Sequence, residues 1–138
     1  MDATELVFPV ICFNQGIFEV KEDFYKLSTC SKYALKRGWY KSLLIIDSVG
    51  ESIRVKSARK LHGIGRFWGY SIFLNQRIKV ELTYDGEPFQ ITVEDLRKHV
   101  LDSLNTWEGW QEQMNFEEWK ASFEKASTIA EIIRLAGS

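Results

Sequence analysis

The densest run of chemistry-bearing side chains is Arg59-Lys60-Leu61-His62-Gly63-Ile64-Gly65-Arg66-Phe67-Trp68-Gly69-Tyr70. Glycines at 63, 65 and 69 free the backbone for sharp turns, while Arg59, Lys60 and Arg66 supply hydrogen-bond donors. Phe67, Trp68 and Tyr70 add flat amphipathic faces. Such a segment suits a phosphate, a stacked base or an acidic partner. Joined to Arg54 and Lys56 upstream, the residues Arg59, Lys60, Arg66 and Trp68 form a candidate anion- or nucleic-acid-binding set. The glycine spacing G-x-G-x-x-x-G misses the dinucleotide fingerprint by one residue, and the P-loop lysine pattern is missing. The plainer reading is an inter-hairpin loop whose aromatics close the core, and it is the expectation, because aromatic burial dominates small cores.

Other routes to chemistry are thin. His62 and His99 are the acid–base candidates, and a histidine pair beside a lysine is the apparatus of an RNase-like hydrolase. Their spacing does not bring them together, and His99 falls beside Leu96 and Val100 on the first late helix, a position between core and surface. Cys12, Cys30, His62 and His99 match no zinc-ligand spacing. Glu94-Asp95 and Glu117-Glu118 open helices, where they complement the positive end of the helix dipole without any metal. Gly69-Tyr70-Ser71-Ile72-Phe73 lacks the second glycine of a nucleophile elbow. The expectation is a chain with no catalytic residues, no metal and no cofactor.

Charge is the stronger signal. The formal net charge is −1, yet it is segregated. Residues 1–25 carry one base and five acids, residues 26–80 twelve bases and two acids, and residues 81–138 five bases and twelve acids. The bland reading pairs the two poles across one surface, with exposed ion pairs worth about 0–1 kcal/mol each. The functional reading is a dipolar surface that steers a charged partner onto one face. On the acidic pole the candidate partner-binding residues are Glu108, Glu112, Glu117 and Glu118. They are interleaved with Trp107, Trp110 and Trp119. Tryptophan is enriched at binding hot spots, but packing is the better expectation for these, because tryptophan is buried on average.

The elements that must position these groups follow from periodicity. Leu6–Phe13 reads as a strand apolar on both faces, with Pro9 demanding an edge position or a bulge. Asn14-Gln15-Gly16 is a turn signal, with Ile17–Lys21 as the returning strand. Ser28–Arg37 suits a short helix capped by Ser28 or Thr29 and closed by Gly38. Leu43–Ile46 and Ser52–Lys56 flank Asp47-Ser48-Val49-Gly50 as a hairpin, with Ile53 and Val55 facing inward. Arg77–Tyr84 alternates without fault, placing Ile78, Val80, Leu82 and Tyr84 on the core face. Asp85-Gly86 then signals a tight turn into Glu87–Ile91, which Pro88 restricts to an edge. Thr92 to Asp95 resembles a capping box ahead of Leu96, Val100, Leu101 and Leu104. Asn115 caps a helix with Phe116, Trp119 and Phe123 on one stripe. A last helix runs from the box Thr128-Ile129-Ala130-Glu131 to Gly137, with Ile129, Ile132 and Ile133 on its apolar face.

Strands first and helices later make the class α+β: a mostly antiparallel sheet of two or three hairpins, followed by two or three C-terminal helices packing on it. The 138 residues fit one domain, 1–138, which buries roughly two-thirds of its unfolded surface without disulfide or metal staples. Met1-Asp2-Ala3-Thr4-Glu5 is acidic where a secretory signal needs basic residues, and no run of about 20 apolar residues is present. The expected location is therefore the cytoplasm, with Cys12 and Cys30 reduced and no membrane partner.

Three functions fit this reading. The first is a non-enzymatic protein that binds another macromolecule, such as a bacterial toxin-immunity protein whose acidic pole meets a basic toxin or nuclease domain. The second is a nucleic-acid-binding module built on residues 54–70, weakened by a pI near 6.1. The third is a small RNase-like hydrolase using His62. The first is the expectation.

Overall fold

The computed structural model describes residues 6–63 and 77–137. Six strands form one antiparallel sheet in the order β2-β1-β4-β5-β6-β3. They are β1 (Val10–Asn14), β2 (Ile17–Lys21), β3 (Thr29–Ser31), β4 (Leu44–Ile46), β5 (Glu51–Gly63) and β6 (Arg77–Gln90). The helices are α1 (Phe24–Leu27), α2 (Lys32–Lys36), α3 (Val93–Thr106), α4 (Glu108–Gln111), α5 (Phe116–Lys125) and α6 (Ile129–Ala136). The class is α+β, with α3 to α6 following the strands.

The sheet curls because the chain must pass from β2 at one edge to β3 at the other. Residues 22–28 make that crossing, and four of them are helical. A connection of this kind reaches about 20 Å, while six flat strands span about 24 Å from first to last. Helix α1 touches both edge strands. Inside the curl lie Val10, Cys12, Leu27, Cys30, Tyr40, Leu43, Ile45, Ile53, Val55, Ile78 and Val80. Outside it, Ile11, Phe13, Phe18, Leu44 and Ile46 meet Leu96, Val100, Leu104, Phe123, Ile132 and Ile133 of the C-terminal helices. Strands β1 and β4 are apolar on both faces because each is covered on both sides. Each fully buried Ile, Leu or Phe contributes about 1.5–3 kcal/mol.

The turns follow local chemistry. Gln15 (φ +50°) and Gly16 (φ +82°) are the two central residues between paired Asn14 and Ile17, the positive-φ pair that a twisted two-residue hairpin needs. In the β4–β5 turn the buried Asp47 carboxylate accepts from the backbone N–H of Val49 (3.0 Å) and Glu51 (2.9 Å) with one oxygen. Its other oxygen accepts from Val7 N–H at 2.9 Å. Gly50 closes this turn at φ +90°. The Thr92–Asp95 capping box is complete at the start of α3. At α6, Thr128 caps Glu131 N–H, while the Glu131 carboxylate accepts from Ser127 N–H rather than from Thr128. Arg97 of α3 donates to the carbonyls of Phe123 (3.2 Å) and Ala126, tying α3 to the end of α5.

Several expectations are corrected. Pro9 does not lie within a strand: a cis Phe8–Pro9 bond precedes β1, which begins at Val10 and is interior, between β2 and β4. Proline just ahead of a strand removes no ladder donor, so no edge position is imposed. The helix expected over Ser28–Arg37 is split, because Thr29–Ser31 pairs with β6 as β3. Ser31 then caps Ala34 N–H of α2, with Gly38 (φ +79°) just past its end. Asp85-Gly86 does not reverse the chain. Ser52 pairs with Phe89 and Arg54 with Asp85, so the extra residues form a bulge within one long strand. The positive φ of Gly86 (+80°) serves a bulge as well as a turn. Pro88 sits in that bulge, beyond the Arg77–Lys79 stretch that β3 covers.

Candidate functional site

The acidic segment is held from beneath by two tryptophans. Trp110 of α4 stacks on Phe18 of β2, with ring centroids 4.4 Å apart and planes 15° from parallel. Its indole N–H donates to the Gly16 carbonyl at 3.2 Å. Trp119 of α5 lies 5.7 Å from Trp110 and donates its indole N–H to the Leu135 carbonyl at 3.0 Å. These contacts fix the path of residues 107–119 against the sheet and α6. Asn115 stands at the start of α5 with φ +59°, and its side chain makes no cap hydrogen bond.

With the tryptophans turned inward, the carboxylates turn outward. Glu108, Glu112, Glu117 and Glu118 are all exposed. None has a Lys or Arg within ion-pair distance among the described residues. Between Lys98 and Lys120 the chain carries five carboxylates and no Lys or Arg. Met114 is 91% exposed and Trp107 is 41% exposed on the same segment. A groove of about 290 Å³ is lined by Trp110, Gln113, Met114, Asn115, Trp119 and Ala136. Glu112, Glu117 and Glu118 flank the groove residues Gln113, Met114 and Asn115 in sequence.

The basic set is dispersed. Arg54 donates to the Ser42 carbonyl at 2.9 Å. Lys56 is exposed beside a small cleft shared with Tyr40, Lys41 and Leu35. Arg59 pairs across the β5–β6 ribbon with Glu81 at 3.1 Å, so the two poles neutralise each other there. Lys60 is exposed on the same ribbon. Arg66 and Trp68 lie outside the described residues, as does most of the loop to which they were assigned.

His62 sits near the end of β5 and His99 on α3, both exposed. The His99 ring lies 5.5 Å from that of Phe13. Cys12 and Cys30 are buried free thiols. Burial pushes the Cys12 thiol up to about 12 and raises that of Cys30. Neither is a nucleophile near neutrality. Among the described residues, no three His, Cys, Asp or Glu side chains are grouped to hold a metal. Nor is any described helix long and apolar enough to cross a membrane.

One cluster escaped the sequence reading. Arg37, Lys41, Arg54 and His99 line a cleft of about 530 Å³ together with Phe13, Asn14, Gln15, Gly38, Ser42 and Leu44. Its sequence signal is the stretch from Phe24 to Ile46, which holds five lysines and arginines and no acid. Comparison with known proteins finds no matching family model, no matching curated protein and no matching solved structure.

Proposed function

We propose that this chain is a non-enzymatic binding protein that docks, through the face formed by residues 107–118, onto a basic surface of a protein partner. The observation that carries the reading is the set of Glu108, Glu112, Glu117 and Glu118, exposed and without an ion pair among the described residues, on the segment that also exposes Met114 and Trp107. Like charges crowded on one segment repel, and an approaching cationic surface relieves that repulsion as it speeds the encounter. Met114 and Trp107 then supply apolar contact that carboxylates alone lack. Trp110 and Trp119 support the face from below, so little of it must be ordered on binding.

A protein that handles nucleic acid presents a basic surface to its substrate. Carboxylates seated on that surface exclude the substrate by competing for the same charges. The partner class is therefore a basic toxin or nuclease domain, and the role is neutralisation, as in toxin-immunity proteins. The test is affinity capture from the native cell with two baits, the natural chain and a variant carrying Glu108→Lys, Glu112→Lys, Glu117→Lys and Glu118→Lys. Far-UV circular dichroism confirms that both are folded. A basic protein held by the natural chain, lost by the variant and inhibited by the natural chain in a nuclease assay is the expected result. Equal retention by both baits, or an acidic partner, contradicts the proposal.

A further inference from the structure

The cleft between the end of α2, the starts of β4 and β5, and α3 is independent of the acidic face and differs from it in sign. Arg37 comes from the residue after α2, Lys41 from the following turn, Arg54 from β5 and His99 from α3. The lining contains no Asp or Glu. All four side chains are exposed, and none makes a described ion pair. Lys21, Lys26 and Arg59, by contrast, each meet a carboxylate, of Glu19, Glu22 and Glu81 respectively. Three fixed positive charges are gathered here without an answering carboxylate.

The cleft is also shaped. Arg54 is steered by its hydrogen bond to the Ser42 carbonyl, and Arg37 lies over the Tyr33 ring at 5.5 Å. Three lining residues, Gln15 (φ +50°), Gly38 (φ +79°) and Ser42 (φ +60°), are in the left-handed region. Each serves a local turn: Gln15 the two-residue hairpin, Gly38 the end of α2, and Ser42 the third position of the Tyr40–Leu43 turn, which the Leu43 N–H closes on the Tyr40 carbonyl at 3.2 Å. On the opposite wall the Phe13 and His99 rings lie together beside Leu44. A volume of about 530 Å³ falls within the range of small-molecule sites, roughly 300–1,000 Å³.

We propose that this cleft binds a small organic anion carrying a diphosphate or equivalent clustered charge, with the Arg37 and Arg54 guanidinium groups and the Lys41 ammonium on the anion and the Phe13–His99 wall against its organic portion. Guanidinium forks match phosphate oxygens in pairs, and a diphosphate carries enough negative charge to answer three cations. Because the cleft is open to water, binding is salt-sensitive and moderate in strength.

Isothermal titration of the full chain with inorganic pyrophosphate and with adenosine diphosphate, using adenosine as the uncharged control, tests the assignment. Both anions are expected to bind and adenosine is not, with adenosine diphosphate tighter than pyrophosphate. Lys41→Glu and Arg37→Glu, each on the exposed surface, are expected to weaken both anions about tenfold or more. Lys60→Glu on the β5–β6 ribbon is expected to leave them unchanged. The proposal is overturned by no heat from either anion up to millimolar concentration, or by binding that survives Lys41→Glu and Arg37→Glu. It is equally overturned if a single-stranded oligonucleotide binds more tightly than either anion and loses affinity in Lys60→Glu, since the cleft would then be one end of a nucleic-acid track.

Discussion

Replacement of Trp110 by alanine removes the post on which the acidic face stands. An indole buries about 150–250 Å² when fully enclosed, and Trp110 is largely enclosed between Phe18, Trp107 and Trp119. At about 25 cal/mol per Å², the lost burial is about 3 kcal/mol. The stack on Phe18 and the bond to the Gly16 carbonyl add about 1 kcal/mol together, once water's access to the vacated site is allowed for. Trp110→Ala is thus expected to cost about 4 kcal/mol, a large part of the stability of a domain this size. Trp110→Phe keeps the stack, loses the donor and buries a smaller ring, for about 1–2 kcal/mol in all. Urea unfolding followed by circular dichroism measures both. With a slope near 2 kcal/mol per molar, the midpoint falls by about 2 M for alanine and by less than about 1 M for phenylalanine. An alanine variant costing under about 1 kcal/mol, or no more than phenylalanine, refutes the anchoring role.

Asp47→Asn keeps the oxygen that accepts from Val49 and Glu51 but sets an amide N–H₂ against the Val7 N–H, so it costs about 1–2 kcal/mol, whereas Asp47→Ala orphans three donors and costs about 3 kcal/mol or more, read by the same urea titration. Gly50→Ala places a Cβ 2.8 Å from the Ile91 carbonyl and 2.9 Å from Ile129 Cδ1 at φ +90°, and is expected to cost at least about 2 kcal/mol, lowering the thermal midpoint by about 5–10 °C. Burial raises the Cys12 thiol from 9.0 to about 12, so the folded chain stays protonated where the unfolded chain ionises. That stabilisation is complete below pH 9 and lost as the pH rises toward 12, by about 4 kcal/mol in all, and Cys12→Ala flattens the pH profile of unfolding over that window. Cys12 in the natural chain is also expected to react with a thiol reagent at pH 8 only after urea unfolds it.

Local chemistry was legible where it is self-contained. The Gln15-Gly16 turn, the Asp47–Gly50 turn and the Thr92 box each state their geometry within a few residues. The stripe Leu96, Val100 and Leu104 reads as the buried face of α3 for the same reason. Long-range pairing overrode the local signal elsewhere. Asp85-Gly86 permits positive φ, which a turn and a bulge both use, and only the length of β5 decides between them. Thr29–Ser31 has helix-capping residues, yet an open edge of β6 recruits it as a strand. Pro9 looked like an edge marker because the strand boundary, one residue later, is set by tertiary pairing. The acidic candidates were visible as charge, but their separation from Lys and Arg depends on Trp110 and Trp119 facing inward. The cationic cleft was visible only as the acid-free run from Phe24 to Ile46, since Arg54 and His99 join Arg37 and Lys41 from two other stretches of chain.

Hydrogen–deuterium exchange of the chain alone and in complex with its captured partner shows whether residues 107–118 are the docking face. Protection gained across α4, residues 112–115 and the first turn of α5, with the β5–β6 ribbon unchanged, is the predicted footprint. Protection confined to residues 54–63, with 107–118 exchanging as in the free chain, contradicts it.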